Sequence, residues 1–409
     1  MAAALVLTAA APSACSGRDD PPESPPSREA ARQSDLDGLV RAVETLHPDP
    51  FGALDESAWR RDVARLRERA PHLTADEFLV GVARVAVLGE RNGHGGLFPT
   101  DQRGLRMWPL RLHEFPDGWY VVDTSIPELR GARLDGIGGR PVDEVVAALA
   151  PIVPRDNGHS LRARLGTYLV VPAFLRGLGV LGDGSLGVTL PGGRTTTVRP
   201  DAVPSASYAD LTGIVVPQIP LTLPRPEEAP PDDFFWWRRD RGALVVGYER
   251  VLGESPDGGT VQDFVAELEA EVSRSRPRAL VLDVRRNPGG ENEQGDRLMA
   301  FLRDVAASGV PVRVLVGRGT YSAAALLLAE LREHVSVTVY GEPSGGGSGT
   351  FGNPAVHRLT ASGVVVQVPG RWFSRLAEDV PAVEPDVPVD TTWPAWSAGR
   401  DEVLEAALR

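Results

Sequence analysis

The sequence contains no lysine, so all 43 of its basic side chains are arginine. Schiff-base chemistry, a lysine general base and a lysine phosphate ligand are excluded at the outset. There is one cysteine, Cys15, so no intrachain disulfide can form. Positive charge is scarce as well: 43 arginines face 55 acidic residues, the formal net charge is -12, and no basic stripe offsets it. A nucleic acid is therefore not an expected partner. No His-Glu-x-x-His pattern, cysteine pair, Walker loop or dinucleotide fingerprint is present, so no metal or other cofactor is expected. Gly345-Gly346-Gly347 lacks both the lysine and the spacing of a phosphate loop.

Long apolar runs are missing too, except at the start. Residues 1–15 are rich in Ala and Leu but shorter than the ~20 residues that cross a bilayer, which reads as a signal peptide for export. Cys15 follows Pro12-Ser13-Ala14, small residues of the kind that precede a lipidated cysteine, although Pro12 replaces the usual Leu and no basic segment comes first. Lipidation of Cys15 is the expectation, and a simple cleaved leader the alternative. Either makes the protein secreted or cell-envelope associated, with the membrane reached only through a lipid. Residues 16–34 hold Pro21, Pro22, Pro25 and Pro26 among polar side chains and read as a disordered tether.

The rest is patterned. Leu36, Leu39, Val40, Val43 and Leu46 recur at helical spacing, a second helix is expected over 56–69, and Thr74-Ala75-Asp76-Glu77 has capping-box spacing before a third. Residues 35–100 are thus an N-terminal helical cap that ends in a histidine loop, Arg91-Asn92-Gly93-His94-Gly95-Gly96. Residues 101–216 alternate like strands around turns and form a β-rich substrate module, with a strand-turn-strand-helix order reminiscent of half a PDZ domain. Residues 217–240 are a Pro-rich joint. In residues 241–409, apolar runs at 244–248, 279–284, 312–316 and 335–340 alternate with helix-length segments, which predicts an α/β domain with a parallel sheet covered by helices on both faces. Sites in such sheets lie at the C-terminal strand ends.

Two turns reach that edge. One is Asp283-Val284-Arg285-Arg286-Asn287-Pro288-Gly289-Gly290, whose glycines leave backbone N–H groups open to approach. The other is Gly317-Arg318-Gly319-Thr320-Tyr321-Ser322-Ala323, which puts Ser322 at a helix N-terminus, where a developing anion is favoured. The amides of Gly290 and Ala323 could form an oxyanion hole. Serine is also a preferred N-cap, and on that reading Ser322 only satisfies backbone donors.

These two turns, followed by Gly341-Glu342-Pro343-Ser344-Gly345-Gly346, resemble the tail-specific or C-terminal-processing serine peptidases. His47-Pro48-Asp49-Pro50-Phe51, the Thr74 helix start, His94 and Val383-Glu384-Pro385-Asp386-Val387 extend the likeness to the branch similar to the tricorn protease core and to interphotoreceptor retinoid-binding protein domains. The resemblance implies a ClpP/crotonase-like sheet-and-helix catalytic domain. It implies a nucleophile at Ser322, with Gly289, Gly345 and Gly346 beside the substrate. The family activates its serine with a lysine or with an N-terminal histidine. Without lysine, the resemblance points to His94, with a third, acidic member at Glu378 or Asp379 and less readily at Glu384. The usual acid and hydroxyl beside that histidine are replaced here by Asn92 and Gly95, and Gly93 stands where a helper serine is usual. The implied function is serine-type peptidase chemistry on a peptide or protein substrate. The alternatives are a catalytically silent binding protein, for which Ser322 and His94 would stand more than about 5 Å apart, and an esterase.

Overall fold

The structure, a computed structural model, describes residues 27–204 and 234–409. The leader, Cys15 and most of the Pro-rich joint lie outside the described residues. Three helices open the described chain: α1 (Arg28–Leu46), α2 (Glu56–Arg69) and α3 (Ala75–Ala86). Each begins where a side-chain oxygen accepts from a first-turn amide: Ser27 from Ala30, Asp55 from Ala58, and Thr74 from Glu77. The Glu77 carboxylate returns the bond to the Thr74 amide at 2.7 Å, completing the capping box.

Helix α1 corrects the expected tether, which was to run to residue 34. Arg32 is buried and donates to the carbonyls of Ala70, Leu73 and Thr74, while Asp35 accepts from the amides of Ala361 and Ser362. These partners are remote in the chain, and they make a polar segment helical where its composition alone argues for disorder.

The next stretch holds β1 (Arg106–Met107), β2 (Leu110–Phe115), β3 (Gly118–Thr124), β4 (Arg133–Ile137), β5 (Arg140–Pro141), α4 (Val142–Leu149), α5 (Gly158–Leu169), α6 (Pro172–Gly177), β6 (Leu186–Thr189), β7 (Thr195–Val198) and β8 (Val203–Pro204). Its main sheet is antiparallel in the order β2-β3-β4-β6-β7, with β5 added to β4. Leu36, Phe78, Trp119, Leu134, Val145 and Phe174 belong to one apolar cluster, so the helical cap and the β-rich module pack as a unit.

The second sheet begins with β9 (Phe235–Asp240), β10 (Ala243–Tyr248), β11 (Leu280–Asp283), β12 (Val312–Val316) and β13 (Val337–Gly341), linked by α7 (Val261–Ser275), α8 (Asp296–Ala307) and α9 (Ala323–His334). From β10 to β13 neighbours are parallel, and β9 is an antiparallel edge. Successive strands are also spatial neighbours. Right-handed crossovers that always advance in one direction leave every connecting helix on the same face. Leu244, Val246, Leu282 and Val314 accordingly meet Phe264, Leu302 and Leu327, whereas Val245, Val281 and Leu315 point the other way. After the hairpin β14 (Gly349–Arg358) and β15 (Val365–Ser374), and after β16 (Val387–Pro388) and α10 (Trp393–Ser397), helix α11 (Glu402–Ala407) covers that opposite face with Val403 and Leu404.

The hairpin ties the two halves together. Leu359 and Val366 enter the first core, and Gln367 pairs with Gly96, which brings the His94 loop over the strand ends of the second sheet. Phe235 stacks on Tyr248 and Phe264, so the aromatic run at residues 234–237 is packing beneath the sheet edge.

Candidate active site

Strand β12 ends at Val316 and α9 begins at Ala323, leaving a sharp turn between them. Thr320 anchors it by donating from Oγ1 to the Val284 carbonyl at 2.8 Å, and the Tyr321 amide donates to Asn287 O at 3.0 Å. Ser322 then adopts φ 51° and ψ -130°, a glycine-favoured conformation that costs about 1–3 kcal/mol for other residues. This geometry turns the hydroxyl away from the helix: Ser322 accepts no first-turn amide, although it occupies the N-cap position. The ordinary role of a serine at this place is therefore vacant. Its Oγ lies 3.0 Å from His94 Nε2 instead.

The His94 loop is held from several sides. Asn92 is buried, donates to Leu88 O and Glu90 O, and meets His47 Nε2 at 2.6 Å. The Gly93 amide donates to Asp156 Oδ1 at 2.7 Å, and the Gly93 carbonyl accepts from Arg164 Nη1 at 2.7 Å. Asp156 lies just before α5 and Arg164 within it. Neither was a candidate from sequence, because an isolated Pro-Arg-Asp-Asn turn carries no signal until the fold brings it to the histidine. Tyr321, inside the serine motif, carries no separate sequence signal either. Its buried ring lies under the Arg164 guanidinium at 4.7 Å, and its hydroxyl is 3.3 Å from His94 Nδ1.

Burial pushes the His94 pKa below the ordinary 6.5; the negative charge of Asp156 works against this, Arg164 adds to it, and a backbone hydrogen bond at Phe351 again opposes it. The imidazole is neutral near pH 7, and Nε2 can accept the serine proton if Nδ1 carries the ring hydrogen.

The glycines divide into different roles. Gly290 is exposed, and among the described residues neither its amide nor that of Ala323 has an acceptor, which leaves two N–H donors beside Ser322. Gly289 is buried with its amide bonded to Asn287 Oδ1. A Cβ there would fall 2.7 Å from Ser322 Cβ, so Gly289 gives the nucleophile room and does not contact substrate through its amide. Gly345 and Gly346 are corrected as well. Both are buried and donate to Thr320 O from behind the turn, bracing the serine with no face open to a substrate.

None of the three expected acids is among the groups that act on the charge of His94. The Asp379 carboxylate pairs with Arg91, Glu378 offers its backbone carbonyl to Ser348 Oγ, and Glu384 offers its carbonyl to Arg332. The carboxylate whose charge reaches the His94 ring is that of Asp156, against the larger effect of burial. Sequence position could not reveal this, since Asp156 is far from both His94 and Ser322 in the chain.

Residues 301–389, which include Ser322 and the closing Glu-Pro-Asp, match the family model of peptidase family S41. No curated protein sequence matches the chain. Among solved structures, mature CPAF matches 92% of this chain and 96% of its own at 14% identity and a TM-score of 0.59. Mature CPAF complexed with lactacystin matches 92% and 97% at 12% identity and a TM-score of 0.61. At these identities the likeness is one of fold, and it extends over nearly the whole chain. A weaker similarity, at 16% identity and a TM-score of 0.40 over 88% of this chain and 93% of the other, is to the photosystem II D1 C-terminal processing protease.

Proposed function

From the match of residues 301–389 to peptidase family S41 and the geometry of the site, we propose that the chain is an exported serine peptidase of that family that cleaves peptide bonds through an acyl-enzyme at Ser322, with His94 as general base. His94 Nε2 takes the Ser322 proton as Oγ bonds to the scissile carbonyl carbon. The amides of Gly290 and Ala323 hold the resulting oxyanion, and such a donor is typically worth about 3 kcal/mol. His94 then returns the proton to the leaving amine. Water attacks the ester in a second round assisted by the same base, which frees the new carboxyl end and restores Ser322.

The observation that carries this reading is the 3.0 Å contact between Ser322 Oγ and His94 Nε2, made by a hydroxyl that its own helix does not use. A binding protein that had lost catalysis has no need to keep this contact or the strained backbone behind it. Export, and a lipid tether at Cys15, belong to the proposal on the strength of the leader sequence. The test is labelling by a fluorophosphonate probe, with the modified peptide located by mass spectrometry. Labelling at Ser322 that disappears in His94→Ala supports the reading. Folded protein that stays unlabelled removes the catalytic assignment and leaves the binding alternative. Peptide and ester substrates offered side by side then settle which bond is cut, and palmitate labelling of Cys15 in cells tests the anchor.

A further inference from the structure

We infer that Asp156, acting through the hydroxyl of Tyr321, fixes the tautomer of His94 and serves as the buried acid of this site. The inference rests on the reading of His94 as the base.

The convergence is visible at Gly93. A Cβ built on Gly93 would lie 2.3 Å from the Tyr321 hydroxyl, 2.8 Å from Asp156 Oδ1 and 2.9 Å from Arg164 Nη1. The space that a side chain at position 93 would fill is occupied by a hydroxyl arriving from the residue before the nucleophile. The Tyr321 hydroxyl thus sits beside the Asp156 carboxylate and the Arg164 guanidinium, and lies 3.3 Å from His94 Nδ1.

Donor and acceptor counting gives the direction. An ionised carboxylate only accepts, so the single Tyr321 proton points at Asp156. Burial, with Asp156 beside it, holds the phenol far above its ordinary pKa, so that proton stays in place. Of the two lone pairs left on the tyrosine oxygen, one faces His94, which makes Nδ1 the donor and leaves Nε2 with the lone pair directed at Ser322 Oγ. Asp156 is itself fixed by the Gly93 amide at 2.7 Å and by Thr350 Oγ1 at 2.8 Å, so it ties the histidine loop, the hairpin and the serine turn together. When the imidazole becomes cationic, Asp156 faces it through one hydroxyl. Arg164 on α5, the backbone of Phe351 and Ser322 are the other groups around the ring. Tyr321 and Asp156 are positioning residues, since neither touches the reacting bond.

The experiment uses the full chain with Tyr321→Phe and Asp156→Asn, and has two readouts. The first is the rate of fluorophosphonate labelling at Ser322 as a function of pH. Tyr321→Phe is expected to slow labelling about tenfold to a hundredfold while leaving Ser322 the labelled residue. Asp156→Asn is expected to move the acid limb of the rate profile to lower pH, because the charge that supports His94 protonation is gone. The second readout is the ¹⁵N chemical shift of the His94 ring, assigned by loss of its signal in His94→Ala. It should show a protonated Nδ1 in the wild type and a mixed tautomer in Tyr321→Phe, and it requires no substrate. Folded Tyr321→Phe with wild-type rate, acid limb and tautomer overturns the inference. If Asp156→Asn fails to fold, Tyr321→Phe decides alone. If the wild type is never labelled, the peptidase reading falls, while the ring shifts still pass or fail the tautomer assignment.

Discussion

His47 Nε2 meets Asn92 Oδ1 at 2.6 Å in the interior, two residues before His94. The Asn92 amide nitrogen is already committed to Leu88 O and Glu90 O, so its oxygen accepts and His47 must donate from Nε2. His47 Nδ1 in turn accepts from the Asp49 amide at 3.1 Å. His47 is thus a neutral structural residue under the base. Replacing it with Ala strands a buried acceptor, with an expected stability loss of about 1–3 kcal/mol and slower Ser322 labelling. His47→Gln, which can still donate, is expected to recover much of both. Chemical unfolding with the two variants side by side checks this, and equal stabilities would remove His47 from the support of the loop.

The lowered pKa of His94 fixes the sign of the pH response. A base works only when neutral, and a depressed pKa keeps it neutral further into acid. The acid limb of kcat/KM is therefore expected below pH 6.5, and a limb above it would contradict the burial described here. Stability follows the same sign. His94, His47 and His113 resist protons that the unfolded chain accepts, so the unfolded state binds more of them below the ordinary histidine pKa. Stability should rise with pH between about 5 and 7, as read by thermal unfolding.

The serine turn was legible from sequence because its signal is local: a strand, a glycine-rich turn and a helix start, with Gly290 and Ala323 as donors. The capping box at Thr74 was legible for the same reason. Asp156 was not, because it comes near His94 only after the segment before α5 meets the hairpin at Thr350, and no spacing rule links residues 94, 156 and 321. Arg32, within the expected tether of residues 16–34, misled in the opposite direction. Its polarity argues for a tether, whereas backbone carbonyls at residues 70, 73 and 74 satisfy it inside the fold. Gly345 and Gly346 show that a glycine run near a nucleophile can serve packing behind it as readily as access in front.

Gly93 should tolerate no side chain. Even Ala would press on the Tyr321 hydroxyl, and Tyr321 is buried, so the ring has nowhere to retreat. Gly93→Ala is expected to cost about 1–3 kcal/mol and to reduce labelling at Ser322 more than the loss of stability explains. Labelling rates measured well below the unfolding temperature separate the two effects. A fully active Gly93→Ala would show that the hydroxyl, the acid and the loop are not in contact.

Away from the site, Arg285 joins the sheet to the last helix. It donates to Asp283 at 2.7 Å and to both oxygens of Asp401, which also caps α11 through the Leu404 amide. Burial alone would raise the Asp283 pKa, but Arg285 and Arg286 outweigh it and hold it at about 2. The stability this contributes is present above the ordinary value of 3.8 and is lost as pH falls through about 2. Asp401→Ala should cost about 2–4 kcal/mol, because a cap disappears and a half-buried arginine loses one of its partners. Asp401→Asn keeps the cap and should cost less; urea unfolding at neutral pH gives the comparison.

The backbone of Ser322 offers the sharpest stability test. At φ 51° and ψ -130° any side chain with a Cβ is strained, whereas glycine is not. Ser322→Ala removes the nucleophile and keeps the strain, while Ser322→Gly removes both. Both variants should fail to react with the probe, yet the glycine variant should be the more stable by about 1 kcal/mol despite its looser unfolded chain. Elsewhere in a helix start the order would be reversed, since alanine normally stabilises relative to glycine. An alanine variant as stable as the glycine one would mean that the turn relaxes in solution, and the hydroxyl would then be free to cap α9. The expected order ties cost to use: the conformation that strains Ser322 is the one that takes its oxygen from the helix amides and presents it to His94.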